Sequence, residues 1–228
     1  MTKFGLIGHP IAHSASPEMF ARAYGGRWPY DLIEGEDFEK SWQCFLDGYK
    51  AINITAPFKE AAFARVERDG VLDDAVRQIG AINIAVKEDD GLVHGYNSDY
   101  LGVLELLKGK GFGQGSTALV VGFGGAGKAA AAAAKALGCD TVVCNRSRRE
   151  PGIRPLEELP LLWAVADLVI YTLPMSVPEL DGCEGSPAIL EANYKDPCLA
   201  GRPGYISGKL WHRAQAETGY PLMTGESY

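Results

Sequence analysis

The stretch Leu119-Val120-Val121-Gly122-Phe123-Gly124-Gly125-Ala126-Gly127-Lys128 decides the fold class of this chain. The β-branched and apolar residues 117–121 predict a buried strand, and the alanine-rich residues 126–137 predict a helix. Between them, three glycines with G-x-G-x-x-G spacing allow a tight turn and a close backbone approach to a ligand. Free N–H groups at the helix start favour an anion, so the stretch predicts the phosphate-binding turn of a dinucleotide-binding unit.

The next predicted strand, 141–144, indicates which dinucleotide is bound. It is followed by Asn145-Arg146-Ser147-Arg148-Arg149. In an NAD-binding unit, an Asp or Glu at this strand end holds the ribose 2′-hydroxyl. A guanidinium instead matches a 2′-phosphate through bidentate, charge-assisted bonds, which favours NADP over NAD. The alternative, a solvated turn, is weakened because these arginines form a local positive cluster in a chain of net charge −7.

Length and composition set limits on the class of protein. The chain has 228 residues, of which 46% are hydrophobic and 22% charged, as in globular proteins of one large or two small domains. Its acidic balance and lack of a basic stripe argue against a nucleic-acid surface. We see no signal peptide and no apolar run long enough for a membrane span. Five cysteines without a C-x-x-C pair or zinc-ligand spacing predict reduced thiols, no metal and a cytoplasmic location.

The residues before the glycine turn alternate between strand and helix patterns. Ser16-Pro17 predicts a helix start with Ser16 as the N-cap. The remaining predictions are strands at 4–8, 30–33, 51–55, 81–86 and 92–96, and helices at 38–46, 58–68, 71–79 and 98–108. A glycine-rich hinge follows at 108–115. The dinucleotide unit, which includes a strand at 167–171, ends near Gly208, and one more helix is predicted at about 209–217.

Four further stretches place polar residues at predicted strand ends. They are 8–17, 53–59, 80–83 and 95–99. Ligands bind at the carboxyl ends of the strands in α/β sheets. The hydroxyls, amides, lysine and aspartate of these stretches would suit a small polyhydroxy acid.

The ordered set of motifs resembles the shikimate dehydrogenase family. It comprises Gly-x-Pro-Ile-x-His-Ser-x-Ser-Pro, Asn-x-Thr-x-Pro-x-Lys, Gly-Ala-x-Asn, Gly-x-Asn-Ser-Asp-x-x-Gly, the glycine turn, Asn-Arg-Ser, and Gly208 with Gln215-Ala216. The resemblance implies reversible reduction of 3-dehydroshikimate to shikimate with NADPH, a step of aromatic amino acid biosynthesis. It implies an α/β fold with a substrate-binding and catalytic domain, 1–100 plus the C-terminal helix 209–228. A Rossmann-type domain, 101–208, follows, with the cleft between the two. We expect a monomer or homodimer without nucleic-acid or membrane partners.

The resemblance also implies residue roles. Lys59 and Asp99 would be the catalytic acid–base pair, although each on its own would fit an ordinary helix-start residue. Ser14 and Ser16 would bind the substrate carboxylate, and Thr55, Asn83 and Gln215 its hydroxyls. Asn53 and Asn97 are equally compatible with turn formation. The cofactor would be held by Gly122, Gly124, Gly125, Ala126, Asn145, Arg146, Ser147 and Arg148, with Gly208 near the nicotinamide ring.

The chain departs from the family pattern at three places. It is shorter than usual, with an apparent contraction between 193–197 and Gly208. Tyr171 stands where the family often has Asn, and Trp211 stands where Met is common, close to the expected nicotinamide. These departures leave the expected catalytic pair intact, but they bear on cofactor binding.

Three alternatives remain beside the leading interpretation. The same fold could act on quinate, or on both substrates, with NAD or NADP. A non-catalytic NADP-binding sensor is disfavoured because Lys59 and Asp99 are both present. A folate-type dehydrogenase of similar layout is disfavoured by the Ser14 and Ser16 pair.

Overall fold

A computed structural model describes residues 1–147 and 151–227. The chain forms two compact units. The first contains residues 1–98 and the C-terminal residues from Glu217 onward, and the second contains residues 99–216. Each unit has its own sheet, so each is described by itself.

The first unit is built on a six-stranded mixed sheet of order β2-β1-β3-β5-β6-β4. β1 lies parallel between β2 and β3, whereas β5 runs antiparallel to β3 and to β6. The strands are β1 Phe4–Gly8, β2 Tyr30–Glu34, β3 Ala51–Ile54, β4 Val71–Leu72, β5 Ile84–Lys87 and β6 Val93–Tyr96. The helices are α1 Ser16–Ala23, α2 Phe38–Gly48, α3 Lys59–Asp69 and α4 Asp74–Ile79.

The second unit is a five-stranded, wholly parallel sheet of order β11-β10-β9-β7-β8. Its strands are β7 Thr117–Val121, β8 Asp140–Cys144, β9 Leu168–Tyr171, β10 Ala188–Glu191 and β11 Tyr205–Ser207. Its helices are α5 Ser98–Gly109, α6 Gly125–Ala136, α7 Leu159–Ala164 and α8 Gly208–Thr224, of which α5 begins and α8 ends in the first unit. The chain adds β8 on one side of β7 and β9 on the other, which creates a topological switch point beside β7.

Small side chains bring α6 close to this sheet. Ala130, Ala133 and Ala134 are completely buried and contribute to a core that includes Val120. This arrangement confirms the predicted α/β class and the Rossmann-type unit.

The last turns of α8 belong to the first unit. The Tyr220 ring lies 5.1 Å from the Phe20 ring, measured between centroids, and packs edge-on against it. The hydroxyls of Tyr24 and Thr224 are 2.9 Å apart and share a hydrogen bond. No helix among the described residues combines the length and the apolar character that crossing a membrane requires.

Two local predictions were wrong. Ser16 is not an N-cap, because Ala15 occupies that position and makes no side-chain capping bond. Instead, Ser14 Oγ accepts a hydrogen bond from the Ser16 N–H. The segment 71–79 is not one helix, because Val71-Leu72 pairs with β6 and Asp73 caps α4 with a 2.7 Å bond to the Val76 N–H. Apolar periodicity alone does not separate a short strand from the helix that follows it.

Candidate functional site

Three predicted site residues of the first unit meet at one edge of its sheet. The Thr55 N–H donates to Ile7 O at 3.0 Å, so the segment after β3 lies beside the end of β1. Since β5 runs antiparallel to β3, the start of β5 lies at this same edge, and the Ile54 N–H donates to Asn83 O at 2.8 Å. Lys59, the first residue of α3, accepts a 3.2 Å bond from the N–H of Ile82. Thr55, Lys59 and Asn83 therefore share one neighbourhood.

Close packing of β1 against the Thr55 segment requires glycine at position 8. A Cβ atom there would lie 2.4 Å from Thr55 Cγ2 and 3.0 Å from Ala56 O. The first distance is shorter than real Cβ contacts, and the second is tighter than most of them. Gly8 therefore allows Thr55 to lie directly against the end of β1.

Ser14 and Ser16 form a hydroxyl pair in the loop that leads into α1. Their Oγ atoms are 3.0 Å apart and hydrogen-bonded. The Tyr30 hydroxyl, which also interacts with Ser16, donates to Asn53 Oδ1 at 2.7 Å. Burial raises the pKa of Tyr30 well above its ordinary value, so the phenol stays neutral and remains a donor. The serines thus sit on a fixed polar support.

Asn83 has its side-chain oxygen committed inside the protein. The residue is 3% exposed, and its Oδ1 accepts from the Ser98 N–H at 2.7 Å and from Ser98 Oγ at 3.3 Å. This bond fixes the first residue of α5. The part of the Asn83 side chain that could hydrogen-bond to a ligand is therefore its amide N–H groups.

Asp99 and Gln215 lie on α5 and α8, which pack closely in the second unit. Asp99 is buried, and its backbone carbonyl accepts a 3.0 Å bond from the indole N–H of Trp211. A Cβ atom on Gly102 would lie 2.7 Å from the Gln215 nitrogen, so the helices touch at this glycine. The buried Trp211 side chain therefore holds the Asp99 backbone through this hydrogen bond, a role that its sequence position did not reveal.

The glycine turn has the form that a phosphate requires. Gly122 has φ +97°, which favours glycine, and Gly124 is the extended N-cap of α6. A Cβ on Gly127 would lie 2.1 Å from Gly122 O, whereas nothing lies within 4 Å of a Cβ built on Gly124 or Gly125. The turn is thus tight on its inner side and open where the N–H groups of Gly125 and Ala126 begin the helix. These residues fit the pyrophosphate of a dinucleotide.

The end of β8 presents the residues predicted to select the 2′-phosphate. The Asn145 amide donates to Ser147 O at 3.0 Å and shapes the turn. Arg146 and Ser147 are exposed. Arg148, the remaining predicted contact, lies outside the described residues.

Gly208, predicted to lie near the nicotinamide, is buried at the start of α8. A Cβ atom there would lie 2.3 Å from Glu191 O. Glycine is therefore required at this position by the close approach of the β10 backbone.

His212 was not singled out from the sequence. Its ring stacks on Tyr194, with centroids 5.0 Å apart and planes at 25°. Burial lowers the pKa of His212; the Asp99 carboxylate opposes this effect and Lys195 adds to it. The sequence around His212 contains no motif that predicts such a position, because the stack on Tyr194 is a tertiary contact. Among the described residues, no group of His, Cys, Asp and Glu side chains is arranged to hold a metal ion.

Comparison with known proteins shows which domains this chain resembles. Residues 6–85 match the model of the shikimate dehydrogenase substrate binding domain. This part of the chain is therefore similar to the substrate-binding domain of shikimate dehydrogenases. Residues 105–179 match the NAD binding domain of D-isomer specific 2-hydroxyacid dehydrogenases, a dinucleotide-binding model of broader scope.

Individual relatives give the same result. The shikimate dehydrogenase (NADP(+)) of Aeromonas hydrophila is 40% identical over 133 residues, which are 55% of this chain and 48% of that enzyme. The match thus spans about half the length of the curated relative. Shikimate 5-dehydrogenase of Thermus thermophilus, solved with NADP(H) and shikimate, has a TM-score of 0.82 at 26% identity and covers 100% of this chain and 95% of its own. Quinate dehydrogenase of Corynebacterium glutamicum, solved with NAD, shares the fold, with a TM-score of 0.83 at 21% identity over 99% of this chain and 94% of its own.

The glycine turn yields a matched pair of substitutions. Gly127→Ala should lower the melting temperature, because the new Cβ would lie 2.1 Å from the backbone oxygen of Gly122. Gly125→Ala should leave it unchanged or raise it slightly, since nothing lies within 4 Å of its Cβ and Ala favours helix over Gly. Thermal unfolding of the two variants measures this. Equal melting temperatures would mean that the turn is not as tight as described.

The environment of His212 predicts a stability change in acid. The pKa of His212 in the folded protein lies below its value in the unfolded chain. The contribution of the neutral imidazole to the free energy of unfolding is therefore complete above the unfolded pKa, near 6.5. That contribution is lost as pH falls through the folded pKa. We expect His212→Gln, which has no charge to gain, to lose less melting temperature between pH 7 and pH 5 than the unmodified protein. Parallel curves would contradict the assignment, and the exposed His13→Gln serves as the control.

Proposed function

We propose that this protein catalyses the NADP-dependent, reversible reduction of 3-dehydroshikimate to shikimate. The observation that carries most weight is the gathering of Thr55, Lys59 and Asn83 at one sheet edge of a shikimate dehydrogenase substrate-binding domain. Both relatives named above as shikimate dehydrogenases support the substrate, and their names or bound ligands support NADP.

In this proposal a set of hydroxyl and amide side chains recognises the acid and its hydroxyls. The Ser14 and Ser16 hydroxyls donate to the substrate carboxylate, as neutral donors suited to an anion. Thr55, the Asn83 amide N–H groups and Gln215 bind the ring hydroxyls. Buried polar groups that are left unpaired by a wrong ligand are costly, so such contacts discriminate between closely related acids.

The proton chemistry falls to Lys59 and Asp99. When bound, NADPH supplies the hydride that reaches the ketone carbon. The Lys59 ammonium donates a proton to the ketone oxygen and stabilises the negative charge that develops there. Asp99 is assigned as the carboxylate partner of this acid–base pair. In the reverse direction the same pair accepts the proton from the shikimate hydroxyl.

Cofactor selection is assigned to the end of β8. Arg146, with Asn145, Ser147 and Arg148, would bind the 2′-phosphate, and the turn of Gly122, Gly124, Gly125 and Ala126 would bind the pyrophosphate. The fold also occurs in a quinate dehydrogenase solved with NAD, so activity on quinate or with NAD is the second candidate. We further infer a place in aromatic amino acid biosynthesis, a cytoplasmic location, and a monomer or homodimer without nucleic-acid or membrane partners.

The proposal is tested by following NADP reduction with shikimate, beside quinate and beside NAD. Lys59→Met should lower kcat by at least about a hundred-fold, since a positioned acid typically contributes 10²–10⁴, and should leave the Kd of NADPH unchanged. Lys40→Met removes an exposed lysine from the first turn of α2 and is the matched control. Tight NADPH binding without turnover on either acid would favour the sensor interpretation.

Arg146→Ala tests the choice of cofactor. The Kd of NADPH should rise by about ten-fold or more, as for a lost charge-assisted bond of about 1.5–3 kcal/mol. The Kd of NADH should change little, because NADH lacks the 2′-phosphate. Arg22→Ala, which removes an exposed arginine of α1, is the control. Equal losses for both cofactors would contradict the 2′-phosphate assignment.

A further inference from the structure

The loop after β9, residues 172–175 (the β9 loop), lies directly against the glycine turn. Thr172 Oγ donates to Val121 O at 2.9 Å. A Cβ atom on Gly122 would lie 2.5 Å from the same hydroxyl and 3.0 Å from Leu173. The position of the β9 loop is therefore part of the shape of the nucleotide-binding edge.

Tyr171 connects the two ends of the β9 loop. Its side chain is completely buried, in the cluster that also holds Val121 and Trp163. The hydroxyl donates to Met175 O at 2.7 Å, so the side chain of the last β9 residue is bonded to the last residue of the loop. Burial raises the pKa of Tyr171, which keeps it a neutral donor.

The loop after β10, residues 192–199 (the β10 loop), is attached to the β9 loop. The Asn193 amide donates to Pro174 O at 3.2 Å and to Asp196 O within its own loop at 2.7 Å. The Tyr171 hydroxyl is also in hydrogen-bonding reach of the Cys198 thiol. Two side chains, Tyr171 and Asn193, thus connect the loops.

A buried carboxylate fixes the far end of the β10 loop. Glu191 is 0% exposed and accepts hydrogen bonds from the Cys198 N–H at 2.7 Å, the Cys198 thiol at 3.2 Å and the Leu199 N–H at 3.0 Å. Partial burial and the Glu191 carboxylate raise the pKa of Cys198 to about 11, so the thiol remains protonated at neutral pH and donates. Both ends of the β10 loop are therefore held by side chains.

The sheet order assigns these loops to one half of a dinucleotide. A dinucleotide lies across the switch point, with one nucleotide on each side. The end of β8, on one side of β7, carries Arg146 and faces the adenosine half. β9 and β10 lie on the other side of β7, which leaves their loops for the nicotinamide half.

We propose that Tyr171 and Asn193 are positioning residues for the nicotinamide half of NADP(H), because they hold the β9 and β10 loops in a preformed arrangement against the glycine turn. The inference rests on the proposed cofactor. A preformed site avoids the cost of ordering two loops at the moment of binding. Loosening the loops should weaken every ligand that needs them and no other.

The test compares NADPH with 2′,5′-ADP, which has the adenosine half and the 2′-phosphate but no nicotinamide. Both are titrated calorimetrically into the full chain, its Tyr171→Phe variant and its Asn193→Ala variant. Each variant should raise the Kd of NADPH by about five-fold, the equivalent of one net hydrogen bond. The Kd of 2′,5′-ADP should stay unchanged. Trp163→Phe is the control, since it alters a buried ring of the same cluster whose indole N–H bonds no described residue.

The outcomes separate the inference from the proposed function. An unchanged Kd of NADPH in both variants, or a parallel rise for both ligands, would overturn the positioning role. A rise for NADPH alone in Trp163→Phe as well would assign the effect to general loosening and also overturn it. If the unmodified protein binds neither ligand, the proposed cofactor itself is wrong, and the inference falls with it.

Discussion

The buried bond between the Ser98 N–H and Asn83 Oδ1 ties the edge of the first sheet to the start of α5. It is 2.7 Å long and joins the segment before β5 to the first residue of α5. Without it, a helix N–H would be buried without a partner, at a cost of about 1–3 kcal/mol. Because Asp99 is the next residue of that helix, the Asn83 side chain at the edge of the first sheet also sets where the Asp99 helix begins.

Close backbone approach is the second constraint, and it acts in both units. At Gly8, Gly102, Gly127 and Gly208, an added Cβ would lie less than 3 Å from a neighbouring atom. None of these four has a positive φ, so the requirement there is for space and not for an unusual backbone conformation. Each lies beside a residue assigned to the site or belongs to it. The sheet edges can thus present polar groups close together because the backbones behind them are nearly in contact.

Patterns local in sequence predicted much of this fold and singled out the residues of the candidate site. The glycine turn, its flanking strand and α6 follow from periodicity and spacing, and so do β1, β2, β3 and the β5–β6 pair. β10, β11 and α7 were not predicted, since short apolar runs between loops carry no distinct period. Ser16 failed as an N-cap because Ser14, two residues earlier, supplies the hydroxyl that its N–H uses. The Tyr171 bond to Met175 and the His212 stack on Tyr194 depend on tertiary contacts, which spacing does not encode.

Burial lowers the reactivity of several cysteine thiols. Burial raises the pKa of Cys139 and Cys183, and of Cys144 to about 12, where nearby glutamates add to the effect. Since the thiolate is the nucleophilic form, these cysteines are poor nucleophiles at neutral pH. Cys198 serves as a hydrogen-bond donor to Glu191 instead. Nucleophilic chemistry by the sulfur atoms of the core is therefore disfavoured at neutral pH.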